Sequence, residues 1–146
     1  MPLPIYILNG PNLNLLGERE PHIYGYETLE EIEKRCQRAA GSLGLEIRFL
    51  QSNHEGQLID WVHEARKAAD GIVINPAGYS FTSIGLLDAL KAFDKPKVEV
   101  HLANIHKREP YYHNSYVAKT ATAVIVGLGP FGYECGLQAI KRLLVP

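Results

Sequence analysis

The chain has little cysteine, little charge imbalance and no long apolar run, and each shortage excludes something. There are two cysteines, Cys36 and Cys135. They lie far apart, neither belongs to a C-x-x-C pair, and each falls within a helical pattern. No disulfide framework or thiolate metal site is implied, and both read as reduced core thiols of a cytoplasmic protein. Fifteen Lys and Arg against 16 Asp and Glu leave a net charge of −1. The basic residues are spread along the chain, so no basic stripe argues for nucleic acid or an anionic membrane surface. The N-terminal MPLPIYILNG lacks a basic leader, and its apolar run is too short for a signal peptide or a membrane span. The expectation is a soluble, cytoplasmic protein with a small-molecule partner. The 146 residues, 46% of them hydrophobic, make one domain, 1–146, with a single core.

What is present is an alternation of short apolar runs with helix-period segments. In order they are PIYIL, TLEEIEKRCQRAAGSLG, LEIRFLQ, QLIDWVHEARKAADG, GIVIN, SIGLLDALKAF, KVEVHL, AVIVG and FGYECGLQAIKRLL. Five strands and four helices follow. In the first helix Leu29, Ile32, Cys36, Ala39 and Leu43 recur at three- and four-residue steps, Thr28 and Glu31 hold capping-box positions, and Gly44 is a stop signal. The short runs GIVIN and AVIVG read as strands buried on both faces. Alternation of this kind predicts a flavodoxin-like, doubly wound α/β domain: five parallel strands in a three-layer α/β/α arrangement with right-handed crossovers. Ligands of such sheets bind outside the carboxyl ends of the strands. The loops there are 9–25, SNHEG, PAGYSFT, LANIHKREPYYHNSY and GLGPFGYE.

The first loop is far longer than the about two to six residues that usually join a strand to its helix. It carries Asn12, Arg19 and Tyr24 between three glycines and two prolines. A phenol is a poor base at neutral pH, and lowering its pKa by two to three units takes roughly 3–4 kcal/mol. A guanidinium about 4 Å away supplies an interaction of that order at an effective dielectric of about 20. Arg19 and Tyr24 therefore read either as a base and its activator on a closing loop, or as a packed tyrosine beside a solvated arginine. Asn12, in NGPN, and Asn75, ending GIVIN, either form turns with their own backbone or present an amide to an oxyanion. In KVEVHL, Glu99 and His101 share one strand face, where the carboxylate would orient the imidazole as a general acid; the alternative is an outer strand with one wet face.

GLGPFG, residues 127–132, matches G-x-G-x-x-G between a strand and a helix, but a dinucleotide site would need a further strand and acidic residue about 20 positions on. It reads as a tight turn and helix start. His54, His101, His106 and His113 show no metal-ligand spacing.

With their neighbours, these residues resemble the type II 3-dehydroquinate dehydratases. ILNGPNLNLLGEREPHIYG is similar to that family's signature over its whole length, and VEVHLANIHKREP, HNSYV and GLGPFGYECGL follow its later blocks in order. The resemblance implies a metal-free, cofactor-free hydro-lyase, a homododecamer built as a tetramer of trimers, and anti loss of water from 3-dehydroquinate through an enolate. It implies Tyr24 as the base, with Arg19 and Arg108 favouring its phenolate, and Asn12 holding a water at the enolate oxygen. It also implies His101, oriented by Glu99, as the acid. Asn75 and the amides of Leu102 and Ala103 would hold the carboxylate, and Asp88 would reach in from a neighbouring subunit. Three positions depart from the family: Phe81 stands where histidine is usual, Ala103 where serine or threonine is, and Tyr112 where arginine is. Phe81 and Tyr112 fall where the family contacts the ring hydroxyls, so intact chemistry with altered specificity is expected. The alternatives are a ring-modified substrate, such as an amino analogue, or a non-catalytic paralogue that binds a small acid.

Overall fold

Why the chain folds as two helical layers around a sheet is visible in the side-chain alternation of its first strand. The structure, a computed structural model, describes residues 2–145. In β1 (Ile5–Asn9) Ile5 and Ile7 face one layer while Tyr6 and Leu8 face the other, and all four are buried. Beneath Ile5 and Ile7 lie α2 (Leu29–Leu43) and α5 (Phe131–Leu144). Beneath Tyr6 and Leu8 lie α3 (Glu55–Ala68) and α4 (Ile84–Lys91). The remaining strands are β2 (Ile47–Gln51), β3 (Gly71–Asn75), β4 (Lys97–His101) and β5 (Ala123–Val126). All pairings are parallel, in the order β2-β1-β3-β4-β5. The chain reverses direction across the sheet between β1 and β3, which opens a crevice at their carboxyl ends.

The helix limits follow the sequence signals. Thr28 and Glu31 close a reciprocal capping box on α2, and Gly44 ends it in the left-handed conformation at φ 70°. The inner face of α2 runs through Ile32, Cys36 and Ala40, with the expected Ala39 only half-buried beside them. Both cysteines are free, but Cys135 is only partly buried and is not a core thiol. At α5, Gly132 and Gly136 let the helix press onto the sheet; a Cβ at Gly136 would stand 3.2 Å from Val73.

Two expectations need correction. AVIVG is not buried on both faces: β5 is an edge strand, and Val124 is 43% exposed. Nor are the helices four, as expected, but five among the described residues, because the loop after β1 folds locally. It contains a 3-10 turn at Leu13–Leu15 and a one-turn helix, α1 (Pro21–Tyr24), with proline at its start and Gly25 after it. In KVEVHL the wet-face alternative falls, because β4 lies between β3 and β5 and Glu99 is fully buried. No helix among the described residues is long and apolar enough to cross a membrane.

Candidate active site

At the carboxyl ends of β1, β3 and β4 the strands stop and their loops diverge, leaving a cavity of about 220 Å³. The loops after β2 and β5 do not line it. Asn53, from the loop after β2, supports it from behind by accepting a hydrogen bond from the Asn12 backbone N–H at 2.9 Å. All but two of the residues singled out from sequence line the cavity: Asn12, Arg19, Tyr24, Asn75, Phe81, His101, Leu102, Ala103, Arg108 and Tyr112. The exceptions are Glu99, which sits behind His101, and Asp88, which is exposed on α4 and does not reach the cavity of its own chain. Two guanidiniums and no carboxylate in the lining favour an anionic ligand. Among the described residues no three His, Cys, Asp or Glu side chains converge as a metal-ligand set. A larger, open groove between α2 and α5 contains Arg35, but Glu27 (2.7 Å) and Glu134 (2.6 Å) already occupy its guanidinium.

On the β4 side, the period of the strand puts Glu99 and His101 on one face, and the Glu99 carboxylate meets the imidazole at Nε2. The same carboxylate oxygen accepts from Ser115 Oγ at 2.8 Å. The ring is thereby held from behind, leaving Nδ1 as the nitrogen that can address a ligand. Just past His101, the last paired residue of β4, the amides of Leu102 and Ala103 leave the ladder.

On the loop side, the one-turn helix carries Tyr24. Its hydroxyl accepts from Arg108 Nη1 at 2.7 Å, a contact between residues 84 apart. Arg19, the sequence neighbour, instead stacks over the Tyr24 ring at 5.0 Å and pairs with Glu20 at 3.4 Å. Burial pulls against the Arg108 charge, yet its hydrogen bond to Tyr24 and the charges of Tyr24, Tyr112 and Glu109 hold it above the usual arginine range.

The floor is a buried amide network. Tyr133 donates to Asn9 Oδ1 at 2.7 Å and accepts from Asn75 Nδ2 at 3.0 Å, while Asn75 Oδ1 accepts from the Ala77 N–H at 3.2 Å. Of the two options for Asn75 the local turn is realised, and its second amide hydrogen remains for a ligand. Asn12 adopts the left-handed conformation at φ 69° and makes no side-chain cap. Ala77, φ 51°, also lies in that region and lines the cavity.

Sequence reasoning missed Pro11, Leu13, Ala77, Gly78 and Ile105 in the lining, and Asn9, Ser115 and Tyr133 behind it. One signal was available: IYILN and GIVIN both end in asparagine, and the sheet registers Asn9 against Asn75.

The model of the family described as "Dehydroquinase class II" matches residues 3–141. A 3-dehydroquinate dehydratase of Cereibacter sphaeroides is 56% identical over 143 residues, 98% of this chain and 97% of that protein. One from Streptomyces coelicolor is 56% identical over 141 residues, covering 96% of this chain and 90% of that protein. The crystal structure of a type II dehydroquinase from Propionibacterium acnes superposes with a TM-score of 0.93 at 39% identity, covering 97% of this chain and 98% of that one.

Proposed function

From the premise that the chain belongs to the class II dehydroquinase family, we propose that its cavity removes water from 3-dehydroquinate to give 3-dehydroshikimate, with Tyr24 as base and His101 as acid. That membership makes the chain a hydro-lyase. The observation that carries the residue assignment is the pairing of Arg108 with the Tyr24 hydroxyl in the same cavity as a His101 ring backed by Glu99. An anti elimination needs base and acid from opposite sides of the ring; here the base comes from the loop after β1 and the acid from the end of β4.

In this reading Tyr24, with Arg108 donating to its hydroxyl and Arg19 stacked over its ring, takes the proton next to the ketone. Asn12, whose side chain makes no cap, holds a water against the enolate oxygen. His101 then protonates the departing hydroxyl through Nδ1, while Glu99 stabilises the ring's charge and orientation. The second amide hydrogen of Asn75 and the N–H groups of Leu102 and Ala103 receive the substrate carboxylate. Asp88 serves a neighbouring subunit's cavity in a dodecamer, which fits its exposed place on α4 away from its own site. A cytoplasmic setting suits this chemistry.

The test is turnover of 3-dehydroquinate with a chelator present, followed by the absorbance of the conjugated enone. The expected result is efficient turnover that Tyr24→Phe lowers by about 10²–10⁴-fold. A folded wild type without turnover, or Tyr24→Phe at the wild-type rate, would overturn the assignment. A second reading, a substrate modified at the ring hydroxyls, is favoured by the aromatic wall: Phe81 packs edge-on against Tyr112 at 5.3 Å and beside the His101 ring at 6.0 Å. It requires Phe81→His, which restores a hydroxyl partner and leaves the Tyr112 ring in place, to raise efficiency on 3-dehydroquinate, because a site rebuilt with such a partner gains recognition; an unchanged or lower efficiency removes it.

A further inference from the structure

Arg108 reaches the Tyr24 hydroxyl through a long, flexible side chain, and something must keep it there. Its guanidinium carbon lies 3.8 Å from the centre of the Tyr112 ring, closer than the 5.3 Å that separates it from the Tyr24 ring. The two residues are brought together by consecutive tight turns, Ile105–Lys107 and Pro110–Tyr112, the second closed by the Tyr112 N–H donating to the Glu109 carbonyl at 2.9 Å. Tyr112 is itself braced, edge-on by Phe81 at 5.3 Å and by Tyr111 at 4.6 Å. His113 Nε2 lies 2.6 Å from the Arg108 carbonyl oxygen and ties down the backbone. A competitor for the guanidinium stands next door: the Glu109 carboxylate, 57% exposed, is 4.0 Å from Arg108 Nε. Without an aromatic face beneath it, Arg108 would be drawn toward that carboxylate and solvent, away from Tyr24.

We propose that Tyr112 is a positioning residue that acts through Arg108, its ring face rather than its hydroxyl holding the guanidinium against the Tyr24 hydroxyl. This deepens the reading above and rests on Tyr24 being the base. A face-on guanidinium is attracted by the ring quadrupole, and the attraction grows as water is excluded. Phenylalanine keeps that face; leucine fills similar space without it.

The test compares Tyr112→Phe and Tyr112→Leu with wild type, with Tyr24→Phe as control. Two things are measured: kcat and KM on 3-dehydroquinate, and NMR of the Arg108 guanidinium, assigned by its loss in Arg108→Lys. Tyr112→Leu is expected to lower kcat by roughly three- to thirty-fold with KM little changed. Rotation of the guanidinium should be restricted in wild type and released in the variant. Tyr112→Phe is expected to recover most of the kcat and the restricted rotation. If Tyr112→Phe is as impaired as Tyr112→Leu, or if Tyr112→Leu raises KM at constant kcat, the side chain contacts the ligand directly and the proposal falls. Unaltered guanidinium rotation in Tyr112→Leu also overturns it. Should Tyr24→Phe keep wild-type turnover, the base assignment fails instead, and the NMR comparison alone decides whether Tyr112 holds Arg108. Tyr112→Met, with bulk but no π face, replaces the leucine variant if that one does not fold.

Discussion

Replacing Tyr133 by phenylalanine removes one oxygen atom and, with it, the centre of the floor beneath the cavity. The ring stays, so packing against the α2 and α5 layer is kept. What is lost is the donor to Asn9 Oδ1 (2.7 Å) and the acceptor for Asn75 Nδ2 (3.0 Å), both buried. Leaving a buried polar group without its partner costs about 1–3 kcal/mol, so two such groups put the loss at about 2–6 kcal/mol. Against a total stability of about 5–15 kcal/mol that is a large share. The melting temperature should fall by about 4–24 °C, at about 2–4 °C per kcal/mol for a domain of this size. Asn75 would also lose one of its two side-chain anchors, keeping only the Ala77 N–H, so KM for 3-dehydroquinate should rise more than kcat falls. Burial pushes the Tyr133 phenol far up, so it folds neutral. Its contribution is complete below the ordinary phenol range, near pH 10, and is lost as pH rises beyond it, because the unfolded chain ionises first. Urea titrations at neutral pH and above pH 10 read both effects, and the variant should show the shallower alkaline decline. A neutral-pH loss under about 0.5 kcal/mol would refute the reasoning, since the two carboxamides would then have found other partners.

Other consequences are equally open to measurement. Gly10 is where β1 leaves the sheet beside Pro76, and a Cβ there would stand 2.4 Å from the Pro76 carbonyl oxygen, which is backbone and cannot swing aside. Gly10→Ala should cost at least the upper end of the about 1–3 kcal/mol typical of overpacking and depress kcat/KM with it; Gly136→Ala, whose nearest contact is a valine methyl at 3.2 Å, should cost less in the same urea titration. Burial also pushes the Cys36 thiol from 9.0 up to about 12. The folded state keeps it protonated while the unfolded chain ionises, so stability should fall between about pH 9 and pH 12 by at most about 1.4 kcal/mol per pH unit. Cys36→Ala should flatten that decline in urea midpoints taken at rising pH, and an unchanged slope would refute the assignment.

Much of the fold could be read from the chain because it rests on short-range periodicity. Leu29, Ile32, Cys36 and Leu43 announce α2, and Thr28 with Glu31 announces its start; these are interactions within a few residues, and the structure keeps them. The site was legible where strand geometry alone placed two groups together, as with Glu99 and His101 on one face. It was illegible where the partners are distant. Nothing in the loop carrying Arg19 and Tyr24 says that Arg108, 84 residues on, takes the phenol's hydrogen bond while Arg19 only stacks. Nor does the chain say that Tyr133 and Asn9, 124 residues apart, close the floor. AVIVG shows the converse limit, since its apolar residues do not reveal that the strand would stand at the sheet's edge with Val124 exposed.

By itself, then, the amino-acid order determined the strand and helix segments, the parallel α/β architecture and, through its blocks of matching residues, the family. Tertiary structure alone decided that Arg108 rather than Arg19 takes the Tyr24 hydroxyl's hydrogen bond, that Tyr133 joins Asn9 to Asn75, and that Phe81, Tyr112 and Arg108 stack into one wall. The physical reason is range. Helix periodicity and strand alternation act over three to five residues and leave their mark on any window of sequence. A hydrogen bond or a cation–π contact depends on where the sheet order carries two distant loops, and that order follows from burying both faces of the strands at once.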